Sequence, residues 1–211
     1  MDSVEQLSEE GRKKPGRPRT FSKEKVLFQV LDIFWRLGYE NASIKHICAE
    51  LGLTPPSLYA AFGSKEQLFC QVVDAYETKY WDGIKLRFVQ SEHFKSGLLE
   101  FFREAAGILT LKDTPCGCLV VLATINAKPQ DKEVMAKIEG VRTATENMFI
   151  QRVQRAQEQG QLRADLDAVA LGQYFNVVLD GMSVQAHFGK GPELLLQSVA
   201  FLEPMITSLE P

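Results

Sequence analysis

The sequence has no long apolar run and no leader-like start. No stretch approaches the roughly 18 uninterrupted apolar residues that a membrane span needs. Residues 1–11 are acidic, residues 12–19 are basic, and neither segment contains the apolar core of a signal peptide. The sequence therefore predicts a cytoplasmic protein without a membrane partner.

Residues that carry metal or catalytic chemistry are scarce. The three histidines lack the spacing of metal ligands to each other or to the four cysteines, which are expected to be reduced thiols. Nucleophile elbows, glycine-rich phosphate loops, His-Glu-x-x-His motifs and paired Glu-x-x-His helices are all missing from the sequence. These absences predict a protein that needs no cofactor and is not an enzyme.

Positive charge is in deficit overall but is concentrated in one segment. The net charge of the chain is −3. Residues 12–70 nevertheless hold ten Lys or Arg against five acidic residues, whereas residues 71–211 hold 14 basic against 18 acidic residues. A basic segment of this kind is a candidate for binding nucleic acid, while the acidic remainder is not.

What the sequence does contain is helical periodicity. With 211 residues, of which 45% are hydrophobic, the chain is long enough for one or two domains with a core. Apolar side chains recur at helical spacing, Gly and Pro separate the segments, and no useful length alternates like a strand. We therefore predict an all-α fold with a flexible basic arm over residues 1–19, a three-helix N-terminal domain over 20–80 and a larger helical bundle over 81–211. Within the bundle the helices are expected near 94–111, 116–127, 131–158, 166–188 and 192–208.

Residues 43–62 are typical of a helix-turn-helix. Its first helix should begin at Ser43 and end at Gly52, and its second should begin after Thr54, with Pro55 in the first turn, where a missing N–H has no energetic penalty. One helix should precede this pair over residues 22–38. A long fourth helix should follow it from a capping box at residues 64–67 to about residue 80. A helix-turn-helix presents its second helix to the major groove of DNA.

Polar residues around this motif are candidate DNA contacts. Hydroxyls and free N–H groups at helix starts suit phosphate oxygens, and a lysine in a first helical turn adds to the positive end of the helix dipole. The candidates are Ser43, Thr54, Pro55, Ser57, Tyr59 and Lys65. The alternative is a half-buried core aromatic at Tyr59, a solvated surface lysine at Lys65, and a helical corner with no DNA role for the whole segment.

Residues 20–80 resemble the DNA-binding domain of the tetracycline-repressor (TetR) family of bacterial transcription regulators. The resemblance is carried by FWRLGYENAS at residues 34–43 and LGLTPPSLYAAFGSKE at residues 51–66. It implies three DNA-binding helices and a larger helical domain for ligand binding and dimerisation. It also implies that Ser57, Tyr59 and the start of the third helix contact DNA, while Ser43 and Lys65 hold phosphates.

The arm offers a second candidate DNA contact. Arg17 and Arg19 flank Pro18 on an extended strip that can enter a narrow, A·T-rich minor groove. The alternative is a solubilising tail that touches phosphates only. The sequence favours neither.

In the larger domain the resemblance implies a homodimer. The family's dimer interface uses the last two helices of each subunit, which here carry apolar faces and a Gly181 that permits close approach. The partners implied are therefore a palindromic double-stranded DNA operator, a second copy of the chain, and a small-molecule effector.

The effector pocket is expected among the helices after residue 90. Segments 112–119 and 179–187 resemble one branch of the family, although His187 stands where that branch carries arginine. The candidate ligand contacts are Phe102, Cys118, Asn126, Tyr174, Asn176 and His187. For each of these residues the alternative is ordinary core packing.

Cys116 and Cys118 are the remaining candidates for chemistry. Two thiolates two residues apart can share a soft metal or respond to an oxidant. A cysteine beside the apolar run at 119–122 more commonly packs in the core.

Taken together, the residues and the resemblance predict a homodimeric repressor released from its operator by a small-molecule, metal or redox signal. The alternatives are a helical protein-interaction module and a thiol- or metal-dependent helical-bundle enzyme.

Overall fold

The computed structural model describes residues 22–126 and 130–211. In this part of the chain all regular structure is helical, which confirms the predicted all-α fold. The helices are α1 (Lys23–Asn41), α2 (Ile44–Leu51), α3 (Pro55–Phe62), α4 (Lys65–Tyr76), α5 (Asp82–Gln90), α6 (Phe94–Leu109), α7 (Leu119–Asn126), α8 (Lys132–Glu158), α9 (Ala168–His187), α10 (Pro192–Ala200) and α11 (Leu202–Thr207). Arg17 and Arg19 lie outside the described residues.

Helices α1 to α4 form the N-terminal part, which we call the head. Ser22 caps α1 by accepting a hydrogen bond from the Lys25 N–H at 3.3 Å. Near the other end, Gly38 has a φ of 75°, so the regular helical path is interrupted at this glycine. The following turn continues to Asn41, and α1 packs against both α4 and α7.

The helix-turn-helix has the predicted boundaries. Ser43 and Thr54 cap α2 and α3 through hydrogen bonds from the N–H groups of His46 and Ser57. Gly52 ends α2 in the left-handed conformation, with a φ of 65°. Local sequence signals are sufficient to set this geometry.

The predicted long fourth helix is interrupted. A π-helical turn over Glu77–Trp81 separates α4 from α5. Tyr76 and Trp81 are both buried and are five residues apart, a spacing that a single π turn keeps on one face. The prediction of one regular helix through Tyr80 is wrong, and the wider turn accompanies the burial of both aromatic side chains.

Helices α5 to α11 form the larger part, which we call the body. Its most extensive helix pair is α8 with α9. A Cβ at Gly172 would lie 2.7 Å from the backbone N of Ile150, so glycine is what allows these two helices to pack so closely. Within the described residues, none of the helices has the length and hydropathy of a membrane span.

The predicted helix over 192–208 is split into α10 and α11 at Phe201. Pro204 has no N–H for the carbonyl of Ala200, and its ring clashes with that carbonyl in a continuous helix. The predicted start of α7 near residue 116 is also too early, because Gly117 has a φ of 90°. Helix α9 begins close to its predicted start near residue 166, where the Asp167 carboxylate accepts hydrogen bonds from the Val169 and Ala170 N–H groups.

Candidate nucleic-acid interface and internal cavity

Helix α3 is anchored on one face and open on the other. Leu58 and Phe62 are buried in the head. Pro55 and Ser57 are exposed, and Tyr59 is 48% exposed, so about half of the tyrosine surface is open to solvent. A tyrosine on an otherwise small-residue surface is available to contact a base edge or a sugar.

Two of the predicted hydroxyl contacts, Ser43 and Thr54, are helix caps. The Thr54 and Ser57 hydroxyls are also hydrogen-bonded to each other at 2.9 Å. A serine or threonine hydroxyl that accepts one main-chain N–H keeps further hydrogen-bonding capacity. Ser43 and Thr54 are both exposed, so capping does not remove them as phosphate contacts.

Lys65 is positioned by an aromatic ring. Its ammonium nitrogen lies 4.2 Å from the centre of the buried Tyr39 ring, and the Tyr39 hydroxyl donates a hydrogen bond to Glu66 at 3.2 Å. Hydrogen bonding from Ser64 lowers the pKa of Glu66, so this carboxylate is ionised at neutral pH. The lysine charge is therefore held in place at the start of α4 and is not on a freely moving side chain.

The head contains a charge cluster that the sequence analysis missed. Arg36 on α1 donates to Asp32 at 3.1 Å and to Glu50 on α2 at 2.7 Å, and His46 lies 3.2 Å from the second oxygen of Glu50. This cluster ties α2 to α1 and neutralises Arg36. The signals in the sequence are the four-residue spacings of Asp32 with Arg36 and of His46 with Glu50, whereas the contact between Arg36 and Glu50 spans 14 residues.

The head and the body are joined by main-chain groups around Gly117. The buried Trp35 indole N–H on α1 donates to the Gly117 carbonyl at 3.1 Å. The Cys118 N–H donates to the Ser183 hydroxyl on α9 at 2.8 Å. A Cβ at residue 117 would lie 2.9 Å from the Ser183 carbonyl oxygen, so only glycine allows this approach. We call these two hydrogen bonds the Gly117 link.

An internal cavity lies on the body side of the Gly117 link. Its volume is about 40 Å³, room for about three water molecules. Polar and charged lining comes from the π turn, α5, α8 and α9, and it comprises Glu77, Lys85, Arg142, Thr145, Asn176, Asp180 and Ser183. Apolar lining includes Trp81, Cys118, Val120 and Leu179.

The structure brings two of the six predicted ligand contacts to this cavity, Cys118 and Asn176. Phe102 is instead buried among Phe101, Phe149 and Phe175. Tyr174 and His187 also lie away from this cavity. Tyr174 is 44% exposed, His187 lines a separate cleft beside Trp35 and Leu119, and the side chain of Asn126 lies outside the described residues.

The two neighbouring cysteines have different surroundings. Cys116 is exposed and Cys118 is buried. Burial raises the pKa of the Cys118 thiol, while the nearby Tyr76 hydroxyl acts in the opposite direction. Within the described residues no three His, Cys, Asp or Glu side chains come together as a metal site.

The charged cavity residues were not predicted because their ion-pair partners lie on other helical elements. Lys85 pairs with Glu77 at 2.6 Å, and Arg142 pairs with Asp180 at 2.8 Å across α8 and α9. Burial raises the pKa of Glu77, while Lys85 lowers it. Only the Glu77–Lys85 spacing of eight residues, about two helical turns, is a signal in the sequence.

The geometry defines a helix-turn-helix DNA-binding protein with a separate helical body. Two family models match the chain. One is described as bacterial regulatory proteins of the tetR family and matches residues 31–72. The other is described as a tetracyclin repressor-like C-terminal domain and matches residues 96–200.

Similar proteins extend the match to nearly the whole chain. The HTH-type transcriptional repressor ComR of Escherichia coli (strain K12) is 28% identical over 187 residues, which cover 88% of this chain and 89% of ComR. A structure of the TetR family regulator CifR, complexed with a 26-base-pair operator DNA, is 33% identical with a TM-score of 0.83, and the match covers 93% of this chain and 100% of that one. A second CifR structure is 35% identical with a TM-score of 0.81, over 87% of this chain and 96% of that one.

The chain belongs to the TetR family. It is a DNA-binding transcription regulator, as the family and the helix-turn-helix together establish.

Proposed function

We propose that the chain acts as a homodimeric repressor that binds a palindromic operator and is released when a small molecule occupies the internal cavity. The observation that carries the DNA-binding half is the α3 surface, where Ser57 and Tyr59 are exposed while Leu58 and Phe62 anchor the helix. Two protomers related by a two-fold axis would present two such helices to the two half-sites. The repressor ComR and the operator-bound CifR support this proposal.

The proposed dimer surface is an apolar face of α9 and α10. Large apolar side chains there are 41–78% exposed in the single chain, namely Val169, Tyr174, Val177, Leu194, Leu196 and, just beyond the two helices, Phe188 and Phe201. Exposed large apolar side chains are typical of an interaction site when they group together on a surface. By contrast, Leu195, Val199, Leu202 and Ile206 are buried within the protomer, so only part of the apolar pattern on these helices is available to a partner.

The proposed route of release runs through the Gly117 link. Cys118 and Ser183 line the cavity, and Trp35 belongs to the helix that packs on the helix-turn-helix. A ligand that displaces Ser183 or Cys118 would therefore move the carbonyl that holds Trp35. Release then follows if the ligand binds the displaced arrangement more tightly than the DNA-binding one.

The test is fluorescence anisotropy of the full chain with duplex DNA from around its own gene, at several salt concentrations. We expect saturable, sequence-selective binding. The logarithm of the association constant should fall linearly with the logarithm of the salt concentration. Tyr59→Ala and Lys65→Ala should each weaken binding at least five-fold, and Lys65→Ala should also reduce the salt slope by about one. Lys112→Ala removes an exposed lysine in the body and is the matched control.

Absence of selective binding to these duplexes and to a random-sequence pool would overturn the DNA-binding half of the proposal. Equal effects of Lys65→Ala and Lys112→Ala would overturn the phosphate role of Lys65. Arg17 and Arg19 join the proposal from the sequence alone, and their replacement by Ala tests the minor-groove contact through a change in A·T preference.

A further inference from the structure

The charged side chains that line the cavity form ion pairs with one another. Each of its four charged side chains is paired with another lining residue. Lys85 Nζ lies 2.6 Å from Glu77 Oε2, and an Arg142 guanidinium nitrogen lies 2.8 Å from Asp180 Oδ2. The pairs leave no unmatched charge of either sign on the cavity wall.

A charged ligand would therefore find no unpaired side chain of opposite charge in the cavity. Moving an ion from water into such a site loses its hydration, and a wall of paired charges does not replace it. The small volume of the cavity also disfavours an ion, because about 40 Å³ cannot hold the ion together with its hydration shell.

One carboxamide on the wall is available for hydrogen bonding. The Asn176 carboxamide lines the cavity on α9, is only 8% exposed, and makes no hydrogen bond to any described residue. A carboxamide without protein partners offers a ligand one acceptor oxygen and two donor hydrogens. The other lining amide and hydroxyl groups differ, because Thr145 already donates to the Val141 carbonyl and Ser183 accepts from Cys118.

Trp81 completes the wall. It is buried, lines the cavity, and its indole N–H has no hydrogen-bond partner. The Tyr76 hydroxyl lies nearby but outside hydrogen-bond geometry to this N–H. The ring therefore gives an apolar surface beside the open carboxamide.

Resting on the proposed function, we infer that the cavity binds a small uncharged molecule with a short apolar tail and a polar head that both accepts from and donates to Asn176. A short-chain primary amide has this chemistry. A ketone of the same size supplies only the acceptor, and a carboxylate or an ammonium ion is excluded by its charge.

The test uses four molecules with five non-hydrogen atoms each, namely propionamide, 2-butanone, propionate and butylammonium. The chain has two tryptophans, so protein labelled with ¹⁵N-tryptophan gives two indole N–H signals, which Trp35→Phe and Trp81→Phe assign. Millimolar titrations of the full chain without DNA then report on the Trp81 signal. Propionamide should shift it at concentrations at least ten-fold below those needed for propionate or butylammonium, with 2-butanone in between.

Two variants make the interpretation specific. Asn176→Leu should weaken the affinity for propionamide at least five-fold, to the level of the affinity for 2-butanone. The control Asn147→Leu, at an exposed position of α8, should change the affinity for neither molecule. Asp180→Asn leaves Arg142 without its partner, so propionate binding should appear in that variant. This gain of binding cannot come from unfolding.

Propionate or butylammonium binding as tightly as propionamide would overturn the inference, and so would a Trp81 signal that no neutral molecule shifts. These measurements do not involve DNA. A failure of operator binding in the anisotropy assay would remove the proposed regulatory role but not the ligand preference, so the two failures are distinguishable.

Discussion

Single hydrogen bonds at buried positions connect the DNA-binding surface to the rest of the molecule. Trp35 and Trp81 make a natural comparison, since both rings are buried but only the Trp35 N–H has a partner. The Trp35 ring also packs edge-on against Tyr76 and Tyr80, with centroids 5.0 and 5.5 Å away. Its hydrogen bond and its packing can therefore be separated by a substitution that keeps the ring.

Trp35→Phe should lower the free energy of unfolding by about 1–3 kcal/mol, because it leaves the buried Gly117 carbonyl without a donor. Trp81→Phe removes an N–H that has no partner and should change stability by much less. Urea denaturation of both variants measures the difference. Equal losses in the two variants would show that ring volume, and not the hydrogen bond, is what matters at Trp35.

The thiol of Cys118 should resist alkylation at neutral pH. Burial raises its pKa, so its thiolate fraction becomes appreciable only at a higher pH than for a free cysteine. Iodoacetamide followed by mass spectrometry should modify the exposed Cys116 first, with Cys118 at least ten-fold slower until the protein unfolds. A Cys116→Ser variant isolates the slower reaction, and comparable rates at the two positions would contradict the buried location.

At the scale of elements, close contact between α8 and α9 shapes one wall of the cavity. Arg142 and Thr145 lie on one of these helices, and Asn176 and Asp180 lie on the other. Gly172 sets the distance between the helices, since a Cβ there would meet the Ile150 backbone. The geometry of the cavity wall therefore depends on a glycine that does not line it.

Gly172→Ala should destabilise the protein by about 1–3 kcal/mol through this overpacking. Gly140→Ala, also in a helix, has open space at the added methyl group and should stabilise the protein by up to about 1 kcal/mol. Thermal unfolding of both variants provides the check. A stabilising Gly172→Ala would mean that the two helices are less tightly packed than described.

The head was largely predictable from sequence because its signals are local. Ser43 with His46, Thr54 with Ser57 and the glycine at 52 act within a few residues of each other. The π turn and the Gly117 link were not predictable. They depend on the joint burial of Tyr76 and Trp81 and on a hydrogen bond across 82 positions, and neither leaves a periodic pattern.

The candidate site divides in the same way. The DNA-contact candidates of the head lie in a segment whose turns and caps could be read directly, whereas the pocket candidates were chosen by residue type. Asn176 lies on the cavity wall, but Tyr174, two residues earlier on the same helix, faces outward. The sequence does not show which face of α9 packs on α8, so it cannot distinguish a cavity-lining Asn176 from an outward-facing Tyr174.

At the scale of the whole molecule, dimerisation and DNA binding should depend on each other. A single helix-turn-helix makes few phosphate and base contacts. When a dimer holds two of them rigidly, their contributions to the free energy of DNA binding add. The proposed dimer face lies on α9 and α10, in the acidic body, while the excess of basic residues falls within residues 12–70.

Val177→Asp should convert the dimer to a monomer, because it places a charge at a position that is 66% exposed in the single chain and central to the proposed apolar face. Sedimentation equilibrium measures the mass, and operator affinity should fall at least ten-fold. Val89→Asp, at a 40% exposed position on α5, is the control and should remain dimeric. A wild-type monomer at micromolar concentration would contradict the proposed assembly.

The Gly117 link has a consequence for how such a regulator can change over evolution. The loop contributes only main-chain atoms to the link, a carbonyl to Trp35 and an N–H to Ser183. The side chain at 116 is exposed and takes no part in it. Substitutions at position 116 can therefore change the side chain exposed beside the Gly117 link, while the two main-chain hydrogen bonds of the link are retained.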